Sequence, residues 1–190
     1  MKRANGLNGG FCQDTAGILR LDADSANAKL LVNEDGTCVR STDTEPPVAE
    51  NPKRFMKAPC VVGRDGYDSG THTWVVEVKR LCGGNEPFCL GVIGGSVNRK
   101  KEYKESPQTQ VWALEESDGV YTAYTDPLTP LPRRETVTNF RITLDYEAGK
   151  LDFSNADNPG DLIYTFSGYP FNEMVYPYFW LGKCVEMCVK

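Results

Sequence analysis

Apolar residues recur at every second position along most of this chain, and that alternation restricts what it can fold into more than any other feature. Trp74, Val76 and Val78 share one face of their run, and Phe88, Leu90 and Val92 share one face of the next, with Gly91 between them. Phe140-Arg141-Ile142-Thr143-Leu144 and Leu162-Ile163-Tyr164-Thr165-Phe166 repeat the pattern, and shorter runs lie at 111–114, 120–124, 176–179 and 185–189. Successive side chains of a strand point to opposite faces, so each run predicts a strand with one face buried. Helical periodicity is confined to 11–18 and 24–28, each long enough for one or two turns.

Turn chemistry sets how these strands connect. Asp35-Gly36 separates Leu30-Leu31-Val32 from Cys38-Val39, Asp118-Gly119 separates Leu114 from Val120, and Ala148-Gly149-Lys150 separates Leu144 from Leu151. Such pairs supply the positive φ that tight hairpins need. Local hairpins build antiparallel sheets, whereas a parallel sheet needs crossover helices for which the chain has no sequence. The expected fold is therefore all-β, a two-sheet antiparallel β-sandwich with one or two short N-terminal helices. Nine Tyr, eight Phe and three Trp supply bulky strand formers, and 190 residues suit one such domain. Longer irregular stretches at 41–57, 96–110, 125–138 and 167–173 hold Pro46, Pro47, Pro52, Pro107, Pro127, Pro130, Pro132 and Pro170. Long loops on a rigid scaffold are where binding residues concentrate.

Several chemistries are disfavoured. The formal net charge of -5 argues against nucleic acid or an anionic membrane as partner. No apolar run approaches the roughly 20 residues that cross a bilayer. Seven cysteines without a C-x-x-C pair, several within strand-like runs, suggest free buried thiols in a reducing, cytoplasmic setting. His72 is the single histidine, so nucleophilic triads would have to run through it and histidine-rich metal sites are excluded. The carboxylate pairs Asp22/Asp24, Glu115/Glu116 and Asp145/Glu147 would suit a glycosidase only if they flanked a sugar cleft. Capping of turns is the simpler role for Asp22/Asp24 and Asp145/Glu147. Gly83-Gly84 and Gly94-Gly95 lack the phosphate-loop patterns and read as turns. The one basic run with an aromatic, 99–104, reads as a solvated face or part of a protein interface.

Three segments then point to a family. Leu21-Asp22-Ala23-Asp24-Ser25-Ala26-Asn27, Ser69-Gly70-Thr71-His72-Thr73-Trp74-Val75-Val76-Glu77-Val78 and Leu144-Asp145-Tyr146-Glu147-Ala148-Gly149 resemble the marks of the PRY-SPRY domain of TRIM ubiquitin ligases, butyrophilins and pyrin. Ala23 stands where the family usually has proline, Val75 replaces a glutamate, and the final loop at 180–184 is short. The resemblance implies an N-terminal extension over 1–20 and one compact domain over 21–190, with PRY at about 21–60 and SPRY at about 61–190. It implies a protein- or peptide-binding module without enzymatic activity, cofactor or metal, serving as the targeting domain of a larger ubiquitin ligase or innate-immune receptor. Any RING domain or oligomerising region would lie outside this chain. The family's ligand pocket maps onto Cys89, Glu115, Ser117 and Lys183, with Tyr103, Tyr169 and Trp180 as aromatic anchors nearby. Tyr121 is balanced between anchor and core. Such a pocket is polar and partly acidic and suits a basic or mixed-charge epitope. The alternative implied by butyrophilins is a sensor of phosphorylated small ligands, using Arg99, Arg133, Arg134 and Arg141. A glycan-cleft hydrolase comes third.

Overall fold

The computed structural model describes residues 17–190. Thirteen strands follow one another: β1 (Leu30–Val32), β2 (Cys38–Ser41), β3 (Cys60–Val62), β4 (Thr71–Arg80), β5 (Phe88–Gly94), β6 (Val111–Ser117), β7 (Val120–Ala123), β8 (Thr129–Pro130), β9 (Asn139–Asp145), β10 (Lys150–Asn155), β11 (Leu162–Phe166), β12 (Val175–Leu181) and β13 (Val185–Val189). They form two antiparallel sheets. One has seven strands in the order β1-β2-β13-β4-β9-β10-β11, and the other has six in the order β3-β12-β5-β6-β7-β8. The expected sandwich is therefore present.

The alternation read from sequence packs as it should. Trp74, Val76 and Val78 of β4, Phe140, Ile142 and Leu144 of β9, and Leu151 and Phe153 of β10 face Phe88, Leu90 and Val92 of β5, Trp112 and Leu114 of β6, and Phe179 and Leu181 of β12 in one buried cluster. Phe88 of one sheet meets Phe140 of the other edge to face at 5.6 Å, a favoured aromatic geometry. Tyr121 resolves as core: it is fully buried, and its hydroxyl accepts the Val137 N–H. The β6–β7 hairpin turns at Asp118 (φ 52°) and Gly119 (φ 72°), the two positive angles of a type I′ turn. Gly91 is needed for space, since a Cβ there would lie 1.8 Å from the Trp112 carbonyl oxygen.

The expected N-terminal helices are not seen among the described residues. Most of the first helical stretch, 11–16, lies outside the described residues. The second, 24–28, is a series of turns. Asp22 Oδ1 accepts the Asp24 N–H, and Ser25 bonds back to the Asp22 carbonyl through both its N–H and its hydroxyl. Short polar side chains satisfying the backbone locally compete with a helix, and here they win. Among the described residues the one helical element is a 3-10 turn, Pro107–Thr109.

The cysteines also depart from expectation. Cys38 is bonded to Cys188 and Cys82 to Cys184, leaving Cys60 and Cys89, among the described residues, as free buried thiols. The partners lie 150 and 102 residues apart in sequence, so spacing alone could not pair them. Only the sheet register, which sets Cys188 opposite Cys38, brings the first pair together.

A second apolar cluster positions the site. It covers the outer face of the six-stranded sheet, where Phe55, with Ala58, Val97 and Tyr103 packed against the cluster, meets Cys60, Val62, Cys89, Ile93, Val111, Ala113 and Tyr178. The segments before β3 and after β5 thus lie on this face.

Candidate functional site

Register across the six-stranded sheet places Cys60, Trp180, Cys89, Glu115 and Thr122 opposite one another in a single row. All five project to the outer face, because their neighbours Val61, Phe179, Leu90 and Leu114 fill the core. Three residues expected in the partner site, Cys89, Glu115 and Trp180, therefore meet in this row. Ser117 lies two residues further along β6 on the same face, and Lys183 lies in the turn that follows β12. Cys89 is the floor of this set, at 4% exposed. Burial first, then the neighbouring Glu115 charge, pushes its thiol well above the ordinary range. Glu115 is half-buried and accepts the Tyr124 hydroxyl. Trp180 is half-buried and Lys183 is exposed.

Beside this row a groove of about 650 Å³ runs between the end of β12 and the β1–β2 edge. Trp180, Leu181, Gly182 and Lys183 line one side together with Pro59, Glu86 and Pro87, and Lys29, Leu30 and 41–43 line the other. Its charges are mixed, with Lys29 and Lys183 against Asp43 and Glu86. A clasp shapes the wall. The Gly182 N–H donates to the Pro87 carbonyl at 2.9 Å, the Leu81 N–H donates to the Cys184 carbonyl at 2.8 Å, and the Cys82–Cys184 bond joins the same two loops. A side chain at 182 would meet the Pro87 carbonyl at 2.5 Å. Beneath the clasp, Arg80 donates to the Glu86 carbonyl and pairs with buried Glu116.

Tyr103, expected as an aromatic anchor, is bonded through its hydroxyl to the sheet beneath it. Its hydroxyl lies 2.9 Å from that of Tyr178 and 3.2 Å from Cys60 Sγ, and the Cys60 thiol is also 3.3 Å from the Tyr178 hydroxyl. Burial pushes the Cys60 thiol up to about 12 and raises both phenols. This uncharged triangle fastens the 96–106 segment over the sheet. Sequence reading missed it, because nothing local links positions 60, 103 and 178. Tyr169 does not join the groove. It sits against the β9–β10 turn at Gly149, which pairs with the start of β4, whereas the groove lies beyond the other end of β4 at Arg80.

The four candidate anion-binding arginines do not converge. Arg133 donates to the Asp118 carbonyl, Arg134 pairs with Asp161, and Arg141 lies mid-strand opposite Val75 and Ser154. Arg99 is separate again, stacked 5.0 Å from the Phe55 ring and 5.8 Å from the Tyr176 ring. It lines a cleft of about 430 Å³ with Lys53, Arg64, Lys100 and Asp22. Lys100 is Arg99's neighbour in the basic run 99–104, whereas Asp22, Lys53 and Arg64 come from separate segments and had no sequence signal as partners.

His72 is structural. Its Nε2 is 2.7 Å from the Ser69 carbonyl, and its ring stacks on Tyr67 at 3.8 Å. The motif carboxylates hold turns: Asp145 accepts the Ala148 N–H, and Glu147 accepts the Gly70 N–H with both oxygens. Among the described residues no helix is long and apolar enough to cross a membrane.

A two-sheet antiparallel sandwich with its grooves on loops and its single histidine tied into a turn defines a binding scaffold. The family models agree. The SPRY domain matches residues 71–190 and the SPRY-associated domain, PRY, matches 19–67, and the chain belongs to this PRY-SPRY family. It is 37% identical over 164 residues to butyrophilin subfamily 1 member A1 of Bos taurus, covering 86% of this chain and 30% of the relative. It is equally 37% identical over 175 residues to the E3 ubiquitin-protein ligase TRIM15 of Sus scrofa, covering 90% and 37%. The chain thus spans about a third of the length of these relatives. In fold it matches the crystal structure of the TRIM65 PSpry domain with a TM-score of 0.77 at 19% identity, over 92% of this chain and 90% of that one. Stonustoxin gives the same TM-score at 24% identity, over 92% of this chain and 27% of that one.

Proposed function

We propose that this domain recognises a protein or peptide segment in the groove beside Trp180 and acts as the targeting module of a larger TRIM- or butyrophilin-like protein. The carrying observation is the groove itself: a half-buried tryptophan, two prolines and Leu30 give it an apolar floor, and charges of both signs stand at its rim. Recognition sites combine these elements, with an aromatic anchor carrying much of the energy and rim charges setting specificity. Glu115 and Ser117 extend the surface along β6, and a mixed-charge segment in extended form fits it best.

The test is selection of binding peptides from a random displayed library on the immobilised domain, followed by calorimetry with the selected peptide. Trp180→Ala should weaken binding about 30-fold, the effect of losing a hot-spot anchor, and Lys183→Glu should change the charge preference. Lys150→Glu, at the β9–β10 hairpin beyond the opposite end of β4, should have no effect. Equal affinity for wild type and Trp180→Ala would remove the groove from the site.

A second reading has a specific support in the Arg99 cleft, where four cations face one acid. It narrows the butyrophilin-like alternative of a phosphorylated small ligand to Arg99 with Lys53, Arg64 and Lys100. Calorimetry with pyrophosphate decides it, since absence of saturable heat at millimolar ligand ends this reading.

A further inference from the structure

The six cysteines among the described residues sort by exposure. Cys60 and Cys89 are buried and free, while Cys38, Cys82, Cys184 and Cys188 all reach the surface and are all bonded. Surface thiols on a protein kept in a reducing compartment have no reason to fall into bonding pairs, and disulfides reached by solvent there are reduced. The pairs are also not scattered. Both tie down β13, the last strand, which is inserted between β2 and β4 rather than added at an edge. Cys184 immediately precedes β13 and binds the β4–β5 loop. Cys188, four residues on, binds β2 across the register with a Cα–Cα distance of 4.1 Å. The two bonds hold β13 at both of its ends.

We infer that this domain is completed by the Cys38–Cys188 and Cys82–Cys184 disulfides and meets its partner in an oxidising compartment, outside the cytosol or in the secretory lumen, with the second bond acting as the covalent clasp of the groove. Each bond forms from two thiols with release of two protons. The two electrons pass to a disulfide carrier, either a thiol–disulfide oxidoreductase or oxidised glutathione. The clasp function rests on the groove reading above, whereas the compartment inference does not. Cys82–Cys184 joins the loop bearing Glu86 and Pro87 to the loop bearing Gly182 and Lys183, so its loss frees one wall of the groove. The expected cytoplasmic setting is thereby replaced by a proposed extracytosolic one.

The test begins with the protein in its source tissue, blocked with N-ethylmaleimide before lysis and mapped by mass spectrometry without reduction. The expected result is two cystine-linked peptide pairs, 38 with 188 and 82 with 184. Four singly alkylated cysteines at these positions would overturn the inference. On the purified oxidised domain, reductant should lower the melting temperature by about 10 °C or more, and an unchanged melting temperature would count equally against it. Cys82→Ser/Cys184→Ser tests the clasp while retaining the other bond. Hydrogen exchange at the Gly182 and Leu81 amides should accelerate at least tenfold while the β13 amides beside Cys188 stay protected. No acceleration refutes the clasp. Because neither mapping nor exchange uses a ligand, both results stand apart from whether the groove binds peptide.

Discussion

Glu116→Ala should be among the more damaging single substitutions that add no steric clash. Glu116 is 1% exposed. One of its oxygens pairs with Arg80, and the other accepts the Gly119 N–H at 2.7 Å. Removing the carboxylate leaves the Arg80 guanidinium without a counter-ion over the Phe88 ring and orphans an amide in the β6–β7 turn. Breaking a buried ion pair from one side costs about 3–5 kcal/mol. The Arg80 side chain is 17% exposed, so water offsets part of its stranding and places the cost near the lower bound, about 3 kcal/mol. In a chain of this length 1 kcal/mol moves the melting temperature by about 2–4 °C, so the expected fall is about 6–12 °C by scanning calorimetry at neutral pH. Glu116→Gln keeps an acceptor for Gly119 and should lose about half as much. Replacing both partners, Arg80→Met with Glu116→Leu, should recover most of the loss, because neither buried charge then remains. A melting temperature for Glu116→Ala within about 2 °C of wild type would show that the pair contributes no stability and would refute the argument.

Gly91→Ala should prevent soluble folding, because its Cβ overlaps the Trp112 carbonyl in the centre of a sheet; recovery of a folded variant with native circular dichroism would contradict this. Tyr121→Phe removes the acceptor for the buried Val137 N–H and should cost about 1–3 kcal/mol in denaturant titration. Cys60 should resist iodoacetamide at pH 8 in the folded protein and react on unfolding, as burial holds it protonated. The sign of its pH effect follows from that raised value. The stability that favours the neutral thiol is complete below the ordinary value of 9.0 and is lost as pH rises toward about 12, which alkaline denaturation monitored by Cys60 alkylation would trace.

The sequence by itself determined the sandwich. Period-two runs such as 140–144 carry their own burial instruction, and Asp118-Gly119 carries its own turn, because both depend on contacts within a few residues. Where local polar bonding competed, as at Asp22 and Ser25, the apolar spacing of 24–28 misled, and a helix expected there is a set of turns. Tertiary structure decided what the candidate site brings together. The Trp180 groove, the Cys60–Tyr103–Tyr178 triangle and the Arg99 cleft each join segments far apart in the chain, and Tyr169, read as part of the site, lies at the far end. The cysteines show the physical reason most plainly. Their number and spacing gave no partner, since pairing depends on which strands the sheet sets side by side. Inserting β13 between β2 and β4 brought Cys188 to Cys38 and Cys184 to Cys82.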